Sequence, residues 1–349
     1  MPTACLDIDL SALAANFRTL QACQPRAEIA PVVKADAYGL GADRIARRLI
    51  REGARTFFVA RRDEGVHLRA ELGADLGAGP VIYVLDGLDD AAVFVAHDLR
   101  PVLNTPAQVA LWGQVSDLKA ALHIDTGMNR LGVRPDELAA LPRTPAFSLV
   151  MSHLACADEP KNPMNAAQLA AFRAAAAALP AAALSLANSA GAFLGPDHGF
   201  DMVRPGISLY GGGPFSAPHP QIQPVATLRA RVLQVRDLKA GESVGYGATF
   251  TAPRDLRLAT LGLGYADGLL RSFARQGLAV VRGEKRPLTG RISMDAFSMD
   301  ISGLDVTVDD WVELFGAQQF LDEVAAASGT IAYEWLTRIG PRVERRYID

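Results

Sequence analysis

Between residues 31 and 210, short apolar runs alternate with amphipathic or alanine-rich segments, and this alternation strongly constrains the fold. The apolar runs have the length of buried strands, and the segments between them have the length of helices. Repeated βα units of this kind build a parallel sheet. The predicted strands are Pro31–Ala35, Thr56–Ala60, Pro80–Leu85, Pro101–Leu103, Lys119–Asp125, Phe147–His153, Ala183–Ala187 and Met202–Tyr210.

Eight such units predict an α/β fold, a (β/α)8 TIM-type barrel whose closed sheet has no free edge. The predicted helices include Ala42–Glu52, Pro106–Val115 and Met164–Leu179, the last of them rich in alanine, the best helix former.

The composition changes after Gly211–Pro224, a segment rich in glycine and proline that we interpret as a linker. Beyond it, runs such as LRARVLQVRDL and LRLATLGLGY have the composition of strands and predict a C-terminal, mostly-β domain. We place the barrel domain at 1–221 and the β domain at 222–349. Because Cys5–Asp9 shows the same alternation, we expect the residues up to Asp9 to pair with the second domain.

Charge and composition argue against several classes of protein. The 35 basic and 38 acidic side chains give a formal net charge of -3, which argues against a protein that coats nucleic acid. The apolar stretch Ala174–Ala187 is interrupted by Pro180 and is too short to span a membrane. Asp7 and Asp9 stand where a signal peptide needs apolar residues, so we expect a cytoplasmic protein without a membrane partner. The three cysteines lack metal-ligand spacing and predict reduced thiols and no metal site.

Lys34 lies at the end of the first predicted strand, the edge where a barrel keeps its active site. A lysine at this position is most often a solvated ammonium. A desolvated lysine, however, has a lowered pKa and can form a Schiff base with an aldehyde. Tyr38 follows in the segment AYGLG and by itself predicts only core packing.

Two motifs near the seventh and eighth predicted strands favour a phosphate site. Asn188 and Ser189 begin a predicted helix, whose first N–H groups and dipole attract anions; as structure alone they form an N-cap. Arg204 and Gly206 lie in the eighth segment, where a glycine lets the backbone approach a ligand. Barrels commonly bind phosphate in the loops after these two strands, so the two motifs together favour phosphate more than either alone.

Other polar residues are less specific. His123 lies in the fifth predicted strand with Arg130 on the loop after it, and His153 ends the sixth. A hydrogen-bonded core histidine and a surface arginine are the plain alternatives. In the second domain, VGYGATF, LGYADGLLR and GRISMD are each consistent with an ordinary β-turn that carries an aromatic side chain.

Taken together and in order, eight motifs resemble the alanine racemase family: PVVKADAYGLG, DTGMNRLG, SHLACAD, ANSAG, VRPGISLYG, VGYGATF, GYADG and GRISMD. The match extends from Asp7 to Arg342, which makes the combination far more specific than any one motif. The resemblance implies a pyridoxal-phosphate enzyme with a barrel and a C-terminal β domain. It also implies a head-to-tail homodimer that interconverts L-alanine and D-alanine, a peptidoglycan precursor.

The resemblance assigns two bases. Lys34 would hold the cofactor as an aldimine and act on the D face of the substrate, while Tyr246 of the partner subunit would remove the α-proton of the L isomer. A racemase needs bases on opposite faces, because one takes the proton and the other returns it. A phenol with a pKa of ~10 is a poor base, so cationic neighbours must favour its phenolate. Arg271 and His153 are similar to family residues near that tyrosine, and His153 is also expected to bind the cofactor.

The resemblance implies further contacts. Arg204 would donate to the pyridine nitrogen, and because a guanidinium keeps its proton, the ring would be a weaker electron sink that favours racemisation. Arg130 would face the cofactor phenolate oxygen and the substrate carboxylate. The Met294 backbone, oriented by Asp295, would bind the carboxylate from the partner subunit. The residues expected around the phosphate are Tyr38, Ser189, Gly206 and Ile207, with Asn188 beside them.

Two positions depart from the family's pattern. His123 stands where many members have a lysine whose carbamate orients the arginine. Because imidazole forms no such stable carbamate, we expect Arg130 to be positioned otherwise, for example by a bound anion. Pro341 aligns with a tyrosine that reaches the cofactor phosphate in other members, so we expect one phosphate contact to be missing.

The residues leave alternatives open. A broad-specificity amino-acid racemase or a related decarboxylase would use the same cofactor residues. A non-catalytic pyridoxal-phosphate carrier would explain Lys34 but not a second domain with Tyr246, and a phosphate-sugar barrel enzyme gives no reason for that tyrosine. Whether the chain serves cell-wall synthesis or alanine catabolism is equally open.

Overall fold

The computed structural model describes residues 2–73, 79–115, 118–142 and 146–349. Its chain forms two compact units, one of residues 14–209 and one that joins residues 1–13 to residues 210–349. We call them the barrel unit and the β unit. The chain passes from one to the other between Leu209 and Tyr210, before the predicted division at 221/222. The first part of the predicted linker is tied into the β unit, because the Gly213 N–H donates to the buried Asp322 carboxylate at 2.8 Å.

Strands and helices alternate in the barrel unit, and strands dominate the β unit. The strands are β1 (Ala4–Asp9), β2 (Glu28–Ile29), β3 (Thr56–Val59), β4 (Val81–Val84), β5 (Leu99–Leu103), β6 (Ala120–His123), β7 (Phe147–Met151), β8 (Ala183–Ser185), β9 (Met202–Val203), β10 (Ala226–Leu238), β11 (Ser243–Val244), β12 (Phe250–Thr251), β13 (Leu256–Leu261), β14 (Leu278–Val281), β15 (Glu284–Thr289), β16 (Phe297–Asp300), β17 (Trp311–Phe315) and β18 (Glu344–Ile348). The helices are α1 (Leu10–Cys23), α2 (Lys34–Gly39), α3 (Ala42–Arg51), α4 (Arg62–Leu72), α5 (Ala91–Ala96), α6 (Pro106–Val115), α7 (Pro163–Ala177), α8 (Leu321–Ser328) and α9 (Ala332–Arg338).

Parallel segments close into a ring in the barrel unit. Strands β3 to β8 form a six-stranded parallel sheet in chain order, and β2 pairs in parallel with β9. Backbone hydrogen bonds join the two sheets on both sides. The Val33 N–H donates to Phe58 O in β3 at 2.8 Å, and the Asp201 N–H donates to Leu184 O in β8 at 3.0 Å. The predicted (β/α)8 barrel fold is thereby confirmed.

The predicted barrel strands differ in their bounds from those in the structure, most of all at the first and the eighth strand. The first barrel strand begins earlier, at β2, and its extended backbone ends before Lys34, where α2 starts. The eighth, predicted to reach Tyr210, ends at Val203, because the following backbone turns towards Ser189. The predicted helix Met164–Leu179 corresponds to α7, which is capped by the Asn162 side chain accepting from the Met164 N–H at 3.0 Å.

The β unit is built on an eight-stranded, mostly antiparallel sheet in the order β13-β16-β15-β14-β17-β10-β1-β18. An additional pairing between β10 and β13 closes part of this sheet on itself. Strand β1 lies between β10 and β18, which places the N-terminal run in this unit. Trp335 packs edge-on against Phe273 and Phe315, with ring centroids 5.1 and 5.9 Å apart, in the core beneath the sheet. The predicted mostly-β second domain is confirmed.

None of the helices in the described ranges has the length and apolar character that a membrane crossing needs.

Candidate active site

A left-handed turn begins at Lys34. Residues 35–38 all have left-handed backbone conformations, with φ between 49° and 59°, and the Ala37 N–H donates to Val33 O at 2.9 Å. Left-handed helical geometry costs roughly 1–2 kcal/mol for each residue with a side chain. A run of such residues persists only where the surrounding structure holds it.

Two carboxylates hold this turn. Glu64 Oε1 accepts from the Ala35 N–H at 2.8 Å, and Asp36 Oδ1 accepts from the Ala42 N–H at the start of α3 at 2.7 Å. The second oxygen of Glu64 accepts from the Ala60 N–H at 2.8 Å and the Arg61 N–H at 3.1 Å. The turn is therefore fixed to the beginnings of both α3 and α4.

The surroundings lower the pKa of Lys34. Burial is the main cause and the Arg130 guanidinium adds to it, whereas Glu64 and Asp86 oppose the shift. A lower pKa increases the fraction of neutral amine, which is the form that attacks an aldehyde. The ammonium form of Lys34 is therefore less favourable than that of an exposed lysine.

Tyr38, Ser189 and Gly206 come together at the end of the same turn. The Gly206 N–H donates to Ser189 Oγ at 2.9 Å, and the Ser208 N–H donates to the same oxygen at 3.3 Å. A Cβ at position 206 would overlap the Tyr38 hydroxyl, so only glycine allows this approach. The buried Ile207 N–H forms no hydrogen bond with a described residue. We call this group of donors, Tyr38, Ser189 and residues 206–208, the anion cradle.

The prediction that a helix begins at Asn188 is wrong. The structure has only a 3-10 turn, Gly191–Phe193. Asn188 nevertheless caps it, because its Oδ1 accepts from the Gly191 N–H at 2.9 Å. Since a single turn has almost no macrodipole, the attraction for an anion comes from individual N–H and hydroxyl donors.

Arg204 is buried and charged. Its guanidinium donates to Ser152 O at 2.5 Å and to Ser185 Oγ, lies 3.3 Å from His153 Nδ1, and is 5.9 Å from the centre of the Phe58 ring. Burial lowers the pKa of Arg204 to about 9, so the group keeps its proton at neutral pH. The pKa of His153 falls well below its usual value, through burial and the nearby Arg204 cation. Because a guanidinium only donates, His153 Nδ1 is the acceptor.

His123 is a neutral imidazole of defined tautomer. The Asn104 side-chain amide donates to Leu85 O and Val102 O, each at 3.0 Å, so Asn104 Oδ1 is an acceptor. It lies 2.8 Å from His123 Nδ1, which therefore carries the proton and leaves a lone pair on Nε2. Burial, with the Arg204 cation, lowers the pKa of His123 to about 4. The Arg204 cation thus stands beside two neutral histidines, which suits an anionic ligand.

Tyr246 lies on the surface of the β unit, in the 3-10 turn Tyr246–Ala248. Its side chain is 72% exposed. Gly245 and Gly247, with φ of 71° and 73°, allow the tight turn. A Cβ at Gly247 would lie 3.1 Å from Arg291 Nη1, so the turn packs against the GRISMD segment.

The GYADG and GRISMD segments form one structure in the β unit. The Ala266 N–H donates to Met294 O at 3.0 Å, and Met294 is 52% exposed. The Arg342 guanidinium donates to Asp295 at 2.8 Å and to the buried Asp267 at 2.7 Å. Arg271 and Arg291 line a common surface depression. In the described residues, no group of three or more His, Cys, Asp or Glu side chains is placed to hold a metal ion.

Comparison with known proteins agrees with both units. The alanine racemase N-terminal domain matches residues 8–214 and the C-terminal domain matches residues 225–347. The chain belongs to the alanine racemase family. A catabolic alanine racemase of Agrobacterium fabrum is 45% identical, over 99% of this chain and 92% of the relative. An alanine racemase of Rhodospirillum rubrum is 44% identical, over 99% and 96%.

Solved structures of alanine racemases share the whole fold. The Bartonella henselae enzyme, with covalently bound pyridoxal phosphate, has a TM-score of 0.92 and 40% identity, with 100% of both chains covered. The biosynthetic enzyme from Pseudomonas aeruginosa has a TM-score of 0.92 and 36% identity at the same coverage. The family predicted from the eight motifs is therefore confirmed, as is an isomerase family that depends on pyridoxal phosphate.

Several residues around the candidate alanine racemase site carry no signal in the sequence. Glu64 lies on a different βα unit from the backbone that it binds, and Asn104, which fixes His123, belongs to another loop. Ser185 meets Arg204 only because the barrel strands are neighbours. These contacts join positions that are far apart in the chain, and no local motif marks them.

Proposed function

We propose that this chain interconverts L-alanine and D-alanine, with pyridoxal phosphate attached to Lys34. The observation that carries the proposal is the left-handed turn at residues 34–39. It begins at a lysine of lowered pKa and places Tyr38 against Gly206 in the anion cradle. A single rigid element thus supplies both the amine for an aldehyde and part of the binding site for a phosphate.

The residues present fit the cofactor. Tyr38, Ser189, Gly206 and Ile207 would hold the phosphate through hydroxyl and N–H donors, with Asn188 beside them. When bound, pyridoxal phosphate supplies an electron sink that makes the Cα–H of an amino acid acidic. His153 would lie beside the ring. Arg204 would donate to the ring nitrogen and, because it remains cationic, would keep a second proton off that atom. A weaker sink favours return of the proton to Cα.

Two side chains move the proton at Cα. Tyr246 takes it from L-alanine on one face, and Lys34 returns a proton on the other. For the opposite direction the roles are exchanged. Both residues can accept and donate a proton, which is the minimum that a racemase requires.

Tyr246 works in the site of a partner subunit. A phenol that is 72% exposed has no protection from water on its own surface, and burial by a second copy of the chain would provide it. We infer a head-to-tail homodimer with two shared sites. Arg271 lies near the Tyr246 segment as a cation, and Met294, beside Asp295, reaches the substrate carboxylate across the interface. We expect this enzyme to act in the cytoplasm.

Arg130 binds the substrate carboxylate and the cofactor oxygen from the barrel side. Its cation acts on the pKa of both Lys34 and His123, which places it among these groups. The unprotonated Nε2 of His123 would accept from this guanidinium, and that interaction would take the place of a carbamate.

Optical rotation of single-enantiomer amino acids tests the proposed function. Purified protein with added pyridoxal phosphate should racemise L-alanine and should act far more slowly on L-serine and L-lysine. Equal rates on all three would indicate a broad-specificity racemase. Bound cofactor without any change in rotation would indicate a carrier and would overturn the proposal.

A further inference from the structure

Ser208 has a buried hydroxyl without a partner. The residue is 0% exposed, and its Oγ makes no hydrogen bond within the part of the chain that the structure describes. Leaving a buried polar group unpaired costs about 1–3 kcal/mol, and such groups are rare in folded proteins. An unpaired hydroxyl next to a binding site therefore points to a ligand that completes it.

The backbone of Ser208 is part of the anion cradle. Its N–H donates to Ser189 Oγ at 3.3 Å, the same oxygen that the Gly206 N–H reaches at 2.9 Å. The Leu209 N–H closes the turn onto Gly206 O at 2.9 Å, which keeps residues 206–208 tightly folded. Three bonds separate Ser208 Oγ from its own nitrogen, so staggered rotamers hold these two atoms roughly 3–4 Å apart. The hydroxyl is thus confined to the neighbourhood of the cradle.

We propose that Ser208 donates its hydroxyl to the phosphate of pyridoxal phosphate, as a ligand in addition to Tyr38, Ser189 and the backbone N–H groups. The inference rests on the proposed function, because it needs that cofactor in the cradle. A phosphate monoester has three acceptor oxygens and carries nearly two negative charges at neutral pH. It can therefore accept from the Ser208 hydroxyl and from the neighbouring Ile207 N–H together.

Cofactor affinity tests the role of Ser208 directly. The apoprotein, freed of cofactor, is titrated with pyridoxal phosphate and, separately, with pyridoxal, which lacks the phosphate. Because hydrogen bonds to charged groups are strong, S208A should raise the Kd for pyridoxal phosphate by roughly tenfold or more and leave that for pyridoxal unchanged. The matched control is S328A, which removes a buried hydroxyl bonded to Val324 O and Trp335 in the β unit. It should change neither Kd.

Thermal unfolding of the apoprotein separates binding from a structural role. Since the Ser208 hydroxyl has no partner without a ligand, apo S208A should unfold at the temperature of the unsubstituted apoprotein or above it. Pyridoxal phosphate should then raise the Tm of S208A less than that of the unsubstituted chain. An unchanged Kd for pyridoxal phosphate, or an equal loss of affinity for pyridoxal, would overturn the Ser208 inference alone. Failure of the unsubstituted chain to bind pyridoxal phosphate would overturn the proposed function instead.

Discussion

The Glu64 carboxylate accepts a hydrogen bond from the Ala35 N–H at 2.8 Å, and this contact fixes the turn behind Lys34 to the start of α4. Both oxygens of Glu64 are used as acceptors, since the second receives the Ala60 and Arg61 N–H groups. The carboxylate therefore holds a backbone conformation that is unfavourable by itself. We infer that Glu64 is a positioning residue for Lys34 and Tyr38.

Replacing Glu64 by glutamine should weaken cofactor binding. An amide has only one acceptor oxygen, so E64Q loses the hydrogen bonds to one of the two Glu64 oxygens. A hydrogen bond to a charged acceptor is worth about 1.5–3 kcal/mol. Loss of the negative charge should also lower the pKa of Lys34 further, because Glu64 raises it. We expect a Kd for pyridoxal phosphate about tenfold higher and a lower pH midpoint for its attachment, both followed by visible absorption.

The neighbouring D63N serves as the control for E64Q. Asp63 is exposed and pairs with Arg62 at 3.2 Å, so its variant should resemble the unsubstituted chain in both measurements. Equal affinity and an equal pH midpoint in E64Q and D63N would show that Glu64 does not position the lysine.

The sequence predicts the ring of strands and most of the candidate site because both depend on local patterns. Lys34, Ser189 and Arg204 all belong to recognisable motifs at or near strand ends. The left-handed turn at residues 35–38 is different, since it contains two alanines and a tyrosine, for which positive φ is costly, and no glycine. Its conformation is held in part by Glu64 from another βα unit, and a sequence pattern does not encode such a contact.

Acid should destabilise the protein through His123. Its pKa is about 4 in the folded chain, against a usual value of 6.5, so between these values only the unfolded state binds the proton. The stability that neutral His123 contributes is complete above pH 6.5 and falls as the pH drops towards about 4, the pKa of His123 in the folded chain. At about pH 5 the loss amounts to about 2 kcal/mol. Urea unfolding of H123Q should show a pH dependence smaller by that amount.

The control for acid sensitivity is H67Q, which removes an exposed imidazole from α4. Its urea midpoints should follow those of the unsubstituted chain at each pH. If H123Q and H67Q lose stability equally between about pH 7.5 and pH 5, then His123 is not held neutral by burial.

Activity should not depend on carbon dioxide. His123 forms no stable carbamate, and on the proposed account its unprotonated Nε2 accepts from Arg130 instead. Rates measured in buffer stripped of carbon dioxide should equal those with bicarbonate added. A fall in rate that bicarbonate reverses would contradict this account of Arg130, and an effect of chloride on KM would show that a bound anion faces the guanidinium instead.

Mixed dimers should recover activity. K34A and Y246F homodimers should each be nearly inactive, because each lacks one base in both sites. After refolding together, random pairing makes about half of the dimers mixed, and each mixed dimer has one intact site, so about a quarter of the unsubstituted activity should return. No recovery despite demonstrated subunit exchange and cofactor binding would place both bases on the same chain.

The incorporation of deuterium at Cα tests the two-base account most directly. L-alanine is incubated in heavy water with the unsubstituted protein and pyridoxal phosphate, and the D-alanine formed is analysed by mass spectrometry. Tyr246 removes the proton, and Lys34, which has exchanged with the solvent, returns a deuteron from the opposite face. We therefore expect D-alanine that carries deuterium at Cα. With K34A we expect no D-alanine. D-alanine that retains the original hydrogen in every molecule, or no D-alanine from protein with bound cofactor, would contradict the account.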